Sequence, residues 1–330
     1  GGEAIAITSS DYSASQPRWS PDNKYLSFLA KKDKDDKTQV WLSNRLGGDA
    51  QVLTKIPQGV NAHEWSPTEN KLLLVITDPK PEELTPDKED DKKAKPYVID
   101  RRQFKQDYVG YLDRYRNHIY SLIPGDSIPT QLTSGDFDDS DPIWSPDGKK
   151  IAFVSNRTAD ADGNSDTNIW VDDSPVWSPD GKYIAYKTVT NGKILWYAGE
   201  KLAISPALGG QKKVLTENLD RNISKPKFSE DGKSVFFLLE ENGTSVLASI
   251  NTNGKNLKRI IAGSISIGDY DMKADRITPL MGKANTPNNI YVYEKNVLKE
   301  LTQVNDALLA GIKKPIIEKI NFKSTDGTPI

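Results

Sequence analysis

The sequence predicts an all-β fold, a β-propeller of seven blades with the first truncated, each blade a small antiparallel sheet. Three observations predict it. One phrase, an aromatic residue followed by Ser-Pro-Asp-Gly and a short apolar run, is written at Pro142–Val154 and again at Pro175–Tyr186, with looser copies at Pro17–Ala30, His63–Ile76 and Pro226–Leu239. Each phrase is followed by two further short apolar segments, the last of which usually closes on Leu-Thr. Three or four strands in a unit of about 40 to 50 residues is the period of a propeller blade, whose sheet cannot cover its own faces and must stack on its neighbours.

Each part of the unit has a physical reason. The first strand after the anchor is Tyr25–Ala30, Leu72–Ile76, Ile151–Val154, Tyr183–Tyr186 or Val235–Leu239. The second carries a large apolar residue, as in Val40-Trp41-Leu42, Ile119-Tyr120-Ser121-Leu122, Ile169-Trp170-Val171 and Ile290-Tyr291-Val292-Tyr293. The third is Val52-Leu53-Thr54, Gln131-Leu132-Thr133, Val214-Leu215-Thr216 or Leu301-Thr302. Asp-Gly supplies the positive φ of a tight hairpin, and the proline precedes the strand, where its missing N–H costs no ladder bond. The anchors Trp19, Trp65, Trp144, Trp177 and Phe228 read as core between blades. Tyr270-Asp271-Met272-Lys273-Ala274-Asp275 stands in for the phrase in a degenerate last unit, and Ile5-Ala6-Ile7-Thr8 fits the end of a truncated first one.

Two spacings are irregular. Ser66 to Ser145 is 79 residues, against 46 from Ser20 to Ser66, and the excess holds the Pro-, Glu-, Asp- and Lys-rich tract Asp78–Lys95, which reads as an exposed loop or disordered insertion. Ser145 to Ser178 is only 33 residues, and Trp170-Val171 runs straight into Asp172-Asp173-Ser174-Pro175. A blade without its outer strand exposes an edge, so a segment of roughly 15 to 25 residues is expected to be missing at 171/172. The propeller is expected over residues 1–314.

Composition narrows the function. The chain has 330 residues, 27% of them charged, and a net charge of -2, which argues against a nucleic-acid footprint or a polybasic membrane patch. No apolar run approaches the roughly 20 residues of a membrane-spanning helix. With no cysteine, disulfides, thiol catalysis and thiolate metal sites are excluded. The compartment stays open between cytoplasm and periplasm. The opening Gly1-Gly2-Glu3, with neither methionine nor signal peptide, reads as a processed or trimmed start.

Candidate sites are few. A nucleophile elbow requires G-x-S-x-G, and the nearest fragment, Gly243-Thr244-Ser245-Val246-Leu247, lacks the second glycine. His63 and His118 are the only histidines, and their places beside an anchor and at the head of a strand suit hydrogen-bonded structural roles better than general-base catalysis. Asp160, Asp162 and Asp166 have an oxygen-rich spacing that could wrap calcium, although an exposed hairpin tip has the same composition. Asn156, Asn222 and Asn242 head glycosylation-type triplets that also arise by chance. Arg101, Arg102, Arg114, Arg116 and Arg157 lie near blade loops, where a guanidinium could take a peptide carboxylate through paired hydrogen bonds or serve a surface ion pair; Arg101, Arg102 and Arg157 are the candidates for contact with substrate. No cofactor is called for.

Beyond the repeats, three stretches resemble the N-terminal propeller of the prolyl oligopeptidase family of serine peptidases, of acylaminoacyl-peptidase or dipeptidyl-aminopeptidase type. Lys95-Pro96-Tyr97-Val98-Ile99-Asp100-Arg101-Arg102-Gln103-Phe104 with Gly110-Tyr111-Leu112 is similar to the family's approach to its third blade. Gly135-Asp136-Phe137-Asp138-Asp139-Ser140-Asp141-Pro142 with Ser155-Asn156-Arg157 is similar to its fourth. The tail from Leu301 through Pro315 to Ile330 resembles the linker into the family's α/β-hydrolase domain, of which 315–330 would be the linker and start. The resemblance implies a peptidase whose catalytic serine, aspartate and histidine have no counterpart in this chain. The propeller would then act as a cap that admits short or unfolded peptides, with peptide substrates and its own hydrolase domain as partners, and a homo-oligomer is compatible with it. A stand-alone protein-binding propeller of TolB type shares the repeat grammar and is the alternative. A propeller with its own active site, of glycan lyase or lactonase type, would need histidines or carboxylates converging on the axis.

Overall fold

The computed structural model describes residues 7–8, 13–34, 36–78, 99, 104–107, 110–112, 115–159, 174–189, 199–318 and 320–328. Strand follows strand in six units. The first is β1 (Ala14–Trp19), β2 (Tyr25–Ala30), β3 (Gln39–Asn44) and β4 (Gln51–Val52), paired in that order. The second holds β5 (Ala62–Trp65) and β6 (Leu72–Thr77), then a small hairpin of β7 (Lys105–Gln106) and β8 (Gly110–Tyr111) inside the insertion, then β9 (Asn117–Leu122) and β10 (Thr130–Gln131). The third has β11 (Asp139–Trp144) and β12 (Ile151–Ser155) among the described residues. The fourth is β13 (Val176–Trp177), β14 (Tyr183–Val189), β15 (Glu200–Pro206) and β16 (Lys213–Val214). β17 (Ile223–Phe228), β18 (Ser234–Glu241), β19 (Thr244–Asn251) and β20 (Lys258–Ile261) make the fifth. β21 (Ser266–Lys273), β22 (Arg276–Lys283), β23 (Thr286–Glu294) and β24 (Val297–Glu300) make the sixth, and one parallel bridge, Ser245 to Ser266, ties it to the fifth. Within the units every neighbouring pair is antiparallel, so the fold is the all-β propeller that the repeats predict.

Residues 1–6 of the truncated leading blade, most of the charged insertion, and the junction at 171/172 lie outside the described residues. The expected first strands are each recovered within a few residues. The last unit departs in its turn: Ala274, at φ 50, and Asp275 form a two-residue hairpin between Lys273 and Arg276.

The Ser-x-Asp-Gly phrase folds identically four times. Ser20, Ser145, Ser178 and Ser229 donate Oγ–H to Oδ1 of Asp22, Asp147, Asp180 and Asp231 at 2.6–2.7 Å. Each serine oxygen also accepts the N–H five residues on, at 2.9–3.0 Å, and each aspartate accepts the N–H two residues on, at 3.0–3.1 Å. Position four has φ between 57 and 69, filled by Gly148, Gly181, Gly232 or Asn23, an amino acid that tolerates the left-handed region. Gly148 is needed twice over, because a Cβ there would sit 2.1 Å from Thr68 Oγ1 of the preceding turn. The second unit lacks the aspartate, and Ser66 there accepts only longer bonds from Thr68 and Glu69, at 3.4 and 3.2 Å.

Leu-Thr has an equally repeated purpose. The leucine N–H of Leu53, Leu132, Leu215 and Leu301 donates to the carbonyl of Val40, Ile119, Leu202 and Ile290 at 2.7–2.8 Å. The threonine Oγ1 of Thr54, Thr133, Thr216 and Thr302 then accepts the N–H of that same partner at 2.8–2.9 Å. The outer strand, two residues long in three of these four units, is thus locked to its neighbour by a side chain where the ladder stops.

The core lies between blades. Leu29 and Val40 of the first unit meet Trp65, Leu72, Leu74 and Ile76 of the second. Ala152 meets Ile184, Tyr186 and Ala203, Leu202 and Ile204 meet Ile223, Val235 and Phe237, and Leu238 and Leu247 meet Ile267, Tyr270 and Ile277. Trp65, 6% exposed, and Tyr270, 3% exposed, are the inter-blade core residues expected of anchors. Trp144, Trp177 and Phe228 are half-buried. Trp19 corrects the expectation: it is 50% exposed, at the edge of the first described blade, with Arg45 5.9 Å above its ring.

Two outcomes are expected. Thr216→Val, which orphans the buried Leu202 N–H, lowers unfolding free energy by about 1–3 kcal/mol, while Thr302→Val, at an exposed end, costs less, as read from urea denaturation. Asp22 has its pKa lowered from 3.8 to about 2 by the Ser20 hydroxyl and the Lys24 N–H. Its stabilising contribution is therefore present above the unfolded value and lost as pH falls through the folded one, and a carboxyl ¹³C titration midpoint for Asp22 near 2 checks the cause.

Candidate functional site

The edge strands β1, β5, β11, β13 and β17 are the innermost of their sheets: β1 lies against β5, β5 against β11, and β13 against β17. They surround the axis. Four of them share a local irregularity. Gln16, Asp141, Ser174 and Lys225 have φ of 50, 46, 60 and 50, and each stands immediately before a proline. A pre-proline residue avoids the α region and a positive φ is uncommon outside glycine, so the conformation is imposed by its setting. In β1, β11 and β17 the pairing register slips at this point, between Ser15 and Arg18, Ser140 and Ile143, and Ser224 and Lys227. Such a bulge accepts a proline within a strand and re-aims the adjoining side chain. Pro17, Pro142 and Pro226 therefore lie within their strands, while Pro175 precedes β13.

The bulged segments of β1 and β11, the start of β5 and the approach to β13 enclose a cleft of about 350 Å³ that includes Gln16, Arg18, His63, Glu64, Asp141 and Ser174. Ion pairs link successive inner strands, the first of them beside this cleft. Arg18 Nε is 3.0 Å from Glu64 Oε2, Lys225 Nζ 2.9 Å from Asp269 Oδ2, and Lys227 Nζ 2.6 Å from Asp271 Oδ1. Crowding by the surrounding blades raises the Glu64 pKa, with Arg18 opposing the shift.

His63 is 3% exposed. Its Nε2 lies 2.8 Å from Ser27 Oγ, which also receives Trp65 Nε1–H at 2.8 Å and lies 3.1 Å from the Arg18 carbonyl. Ser27 Oγ–H donating to Arg18, with His63 donating from Nε2, satisfies every one of these contacts. Nδ1 is then a buried lone pair, and among the described residues it has no hydrogen-bond partner. Burial, and secondarily Arg18, lowers the His63 pKa from 6.5 to about 4.

A second polar cluster sits where the insertion leaves β6. Asp78, placed by the sequence in the exposed tract, is instead a hub: its carboxylate faces His118 Nδ1 at 2.7 Å, receives the Tyr120 hydroxyl, and accepts Gln131 Nε2 at 3.0 Å. His118 Nε2 meets the Gly135 carbonyl at 3.1 Å. Arg116 is paired with Asp136 and Asp138 at 2.8 and 3.0 Å. Arg157 binds Asp139, which is 0% exposed, through both carboxylate oxygens at 3.0 and 3.2 Å, with the Phe137 and Phe153 rings each 5.4 Å away. A peptide carboxylate at Arg157 would compete with that pair.

Arg101, Arg102 and Arg114, and the calcium candidates Asp160, Asp162 and Asp166, lie outside the described residues. Among the described residues no cluster of three or more histidine, aspartate or glutamate side chains could hold a metal. Ser245 is inside β19, paired with Glu240, and is no elbow nucleophile. Asn242, at φ 52, and Gly243 make the β18–β19 hairpin turn. The sequence reading missed the axial cleft, although the X-Pro that begins three residues before Trp19, Trp144, Trp177 and Phe228 was its signal. A larger groove of about 680 Å³ between the turns of the fourth and fifth units is bordered by Asp180 and Asp231, already bound within those turns.

The strand directions place the bulges, the insertion and the exit of the tail after Glu300 at one end of the sheets, with the Ser-x-Asp turns at the other. Beyond the short helix α1 (Asp306–Leu309) the tail keeps Ile316 90% exposed and repeats the phrase once more without a blade, Ser324 donating to Asp326, which accepts Thr328 N–H at 2.9 Å.

Comparison with known proteins follows the fold. A family model described as the TolB beta propeller domain matches residues 112–267. An uncharacterized peptidase, YuxL, of Bacillus subtilis is 27% identical over 171 residues, which is 52% of this chain and 26% of that protein. Dipeptidyl-peptidase 5 of Porphyromonas gingivalis is 22% identical over 360 aligned positions, covering 97% of this chain and 51% of its own length. Of solved structures, the uncomplexed acylaminoacyl peptidase of Pyrococcus horikoshii superposes with a TM-score of 0.69 at 20% identity, over 95% of this chain and 49% of that one. The β-propeller domain of the Trilobed protease of Pyrococcus furiosus gives 0.59 at 16% identity, over 89% of this chain and 85% of that one. The chain spans about half, or less, of the curated relatives it matches. These likenesses bear out the resemblance to the propeller domain of prolyl oligopeptidase-family peptidases.

Because His63 titrates lower when folded, the unfolded chain binds more protons between pH 6.5 and about 4. Stability is therefore fully present above pH 6.5 and falls toward pH 4, by up to about 3 kcal/mol on 1.36 kcal/mol per pKa unit. Chemical denaturation across that range is expected to show the slope, and His63→Gln to flatten it.

Proposed function

We propose that this propeller is the substrate-gating domain of a serine peptidase that hydrolyses short peptides from the N-terminus, releasing aminoacyl, dipeptidyl or acylaminoacyl groups, with catalysis carried by an α/β-hydrolase domain outside these 330 residues. The observation that carries the reading is one of proportion. Nearly all of this chain aligns with about half of Dipeptidyl-peptidase 5 and of the Pyrococcus horikoshii acylaminoacyl peptidase. The absence of an elbow serine from the sequence agrees with it.

Two structural features support a capping role. The tail leaves the end of the propeller that carries the axial cleft, so a domain joined there would face the cleft. Exposed Ile316, Ile320 and Phe322 are apolar surface for such a domain to cover. A wheel of packed sheets over a hydrolase would exclude bulk water, and in that drier setting the hydrogen bonds of an oxyanion hole are stronger. Its partners would be peptide substrates and its own hydrolase domain. The TolB-model match over 112–267 favours the second reading, a propeller that binds protein without catalysis.

On the proposed reading, the 330-residue chain alone hydrolyses no aminoacyl, dipeptidyl or acylaminoacyl anilide, while the full-length protein does so and is silenced by a serine-directed inhibitor. Inhibitor-sensitive activity in the chain alone, or none in the full-length protein, contradicts it.

A further inference from the structure

Four large apolar residues are more than four-fifths exposed among the described residues: Leu46 at 95%, Ile316 at 90%, Leu208 at 84% and Ile128 at 81%. Ile316 belongs to the tail. The other three occupy one structural position, the turn between the third and fourth blade strands, where Leu46 joins β3 to β4, Ile128 joins β9 to β10 and Leu208 joins β15 to β16. This position lies at the end of the wheel away from the tail. Arg45 N–H and Ala207 N–H donate to the carbonyls of Lys24 and Lys182 in the Ser-x-Asp turns, each at 2.8 Å, and Leu122 pairs with Leu72 beside the turn at Ser66.

The tips project from the blades and nothing packs on them. Leu-Gly-Gly is written at both Leu46 and Leu208, and a Cβ on Gly47, Gly48 or Gly209 would meet no atom within 4 Å. Exposed apolar residues scattered singly need no explanation, but three at one position of three blades form a set. Half-exposed rings accompany them: Trp19, Tyr25 and Tyr183 stand at the same end, where β1 stops and β2 and β14 begin. So do Lys24, Lys182 and Lys233, whose side chains are 72, 74 and 81% exposed, while the aspartates beside them accept hydrogen bonds within the turn.

We infer that the Ser-x-Asp end of the wheel docks on an anionic lipid surface, with Leu46, Ile128 and Leu208 entering the acyl boundary and the turn lysines meeting headgroup phosphates. Each component has its level in a bilayer: aliphatic tips in the acyl region, amphipathic rings among the headgroups, and outward lysines at the anionic surface. Polar residues separate the tips, so a protein would need three distinct sockets. A bilayer receives all three at once. The attachment is peripheral, since no helix among the described residues is long and apolar enough to cross a membrane. It relies on aliphatic tips rather than on a polybasic patch, in keeping with the net charge of -2. The corresponding tips of the fifth and sixth units, Asn253-Gly254 and Lys295-Asn296, are polar, which confines the apolar contact to the first, second and fourth among the described residues. The cleft and the tail lie at the other end and stay free of the lipid. The surface belongs to this chain and stands whether or not the peptidase reading holds.

The test sediments the full-length protein with vesicles of phosphatidylglycerol and phosphatidylcholine in equal parts, and with vesicles of phosphatidylcholine alone. The protein is expected to partition onto the anionic vesicles at least about ten-fold more strongly than a variant carrying Leu46→Ser and Leu208→Ser, and more strongly than onto the neutral vesicles. Leu46→Phe, which keeps an apolar tip, is expected to bind as the unsubstituted protein does. Both replaced leucines are exposed, so the serine variant is expected to keep the circular dichroism of the unsubstituted protein. No binding to either vesicle overturns the inference. Binding that the serine variant retains in full also overturns it, because charge alone would then hold the protein. A dimer that the serine variant abolishes, in a protein that binds no vesicle, overturns it as well and makes a second copy of this chain the occupant.

Discussion

A blade of this protein has two apolar faces and can bury neither by itself, and the rest of the structure depends on that constraint. Leu72, Leu74 and Trp65 are covered because the first blade lies against them, and Ile223, Val235 and Phe237 because the fourth does. At about 25 cal/mol per Å² of apolar surface, such contacts exceed what any single hydrogen bond in a blade contributes. The stacking sets where everything else can be. It brings the edge strands to the axis, sends the turns to one end of the wheel, and leaves the other end for the insertion and the tail.

Much of this was legible in the sequence because stacking demands repetition. The Ser-Pro-Asp-Gly phrase announces the turn, since a serine that bonds both an aspartate and a backbone N–H needs that spacing. Leu-Thr announces the outer strand for a similarly local reason. Trp19 was misread because burial is not local: the same residue type in the same phrase is core at position 65 and half-exposed at position 19, according to which blade lies beside it. Asp78 was misread for the opposite reason. A charged residue in a charged tract looks solvated, and only the return of His118 and Tyr120 along β9 makes it a hub.

The axial cleft joins both kinds of information. Its prolines are visible in the sequence, yet a proline before a strand and a proline in a bulge look alike until the register is known. The bulges at Gln16 and Asp141 and the approach to β13 at Ser174 bring residues of three separate blades to one small space beside His63 and Glu64. The named arginines fared differently. Arg116 and Arg157 are bound to neighbouring carboxylates, while the axial cleft holds the Arg18–Glu64 pair and His63, whose Nδ1 has no partner among the described residues. On the proposed reading, the propeller is a frame with a selective opening beside a hydrolase.

The central claim is that the wheel decides what reaches the catalytic groups. It is tested most directly by presenting one cleavable N-terminal sequence to the full-length protein in two settings, on a short free peptide and at the end of a stably folded domain. The account predicts rapid hydrolysis of the peptide and essentially none of the folded substrate until that domain is unfolded. Equal rates on the two substrates would contradict it.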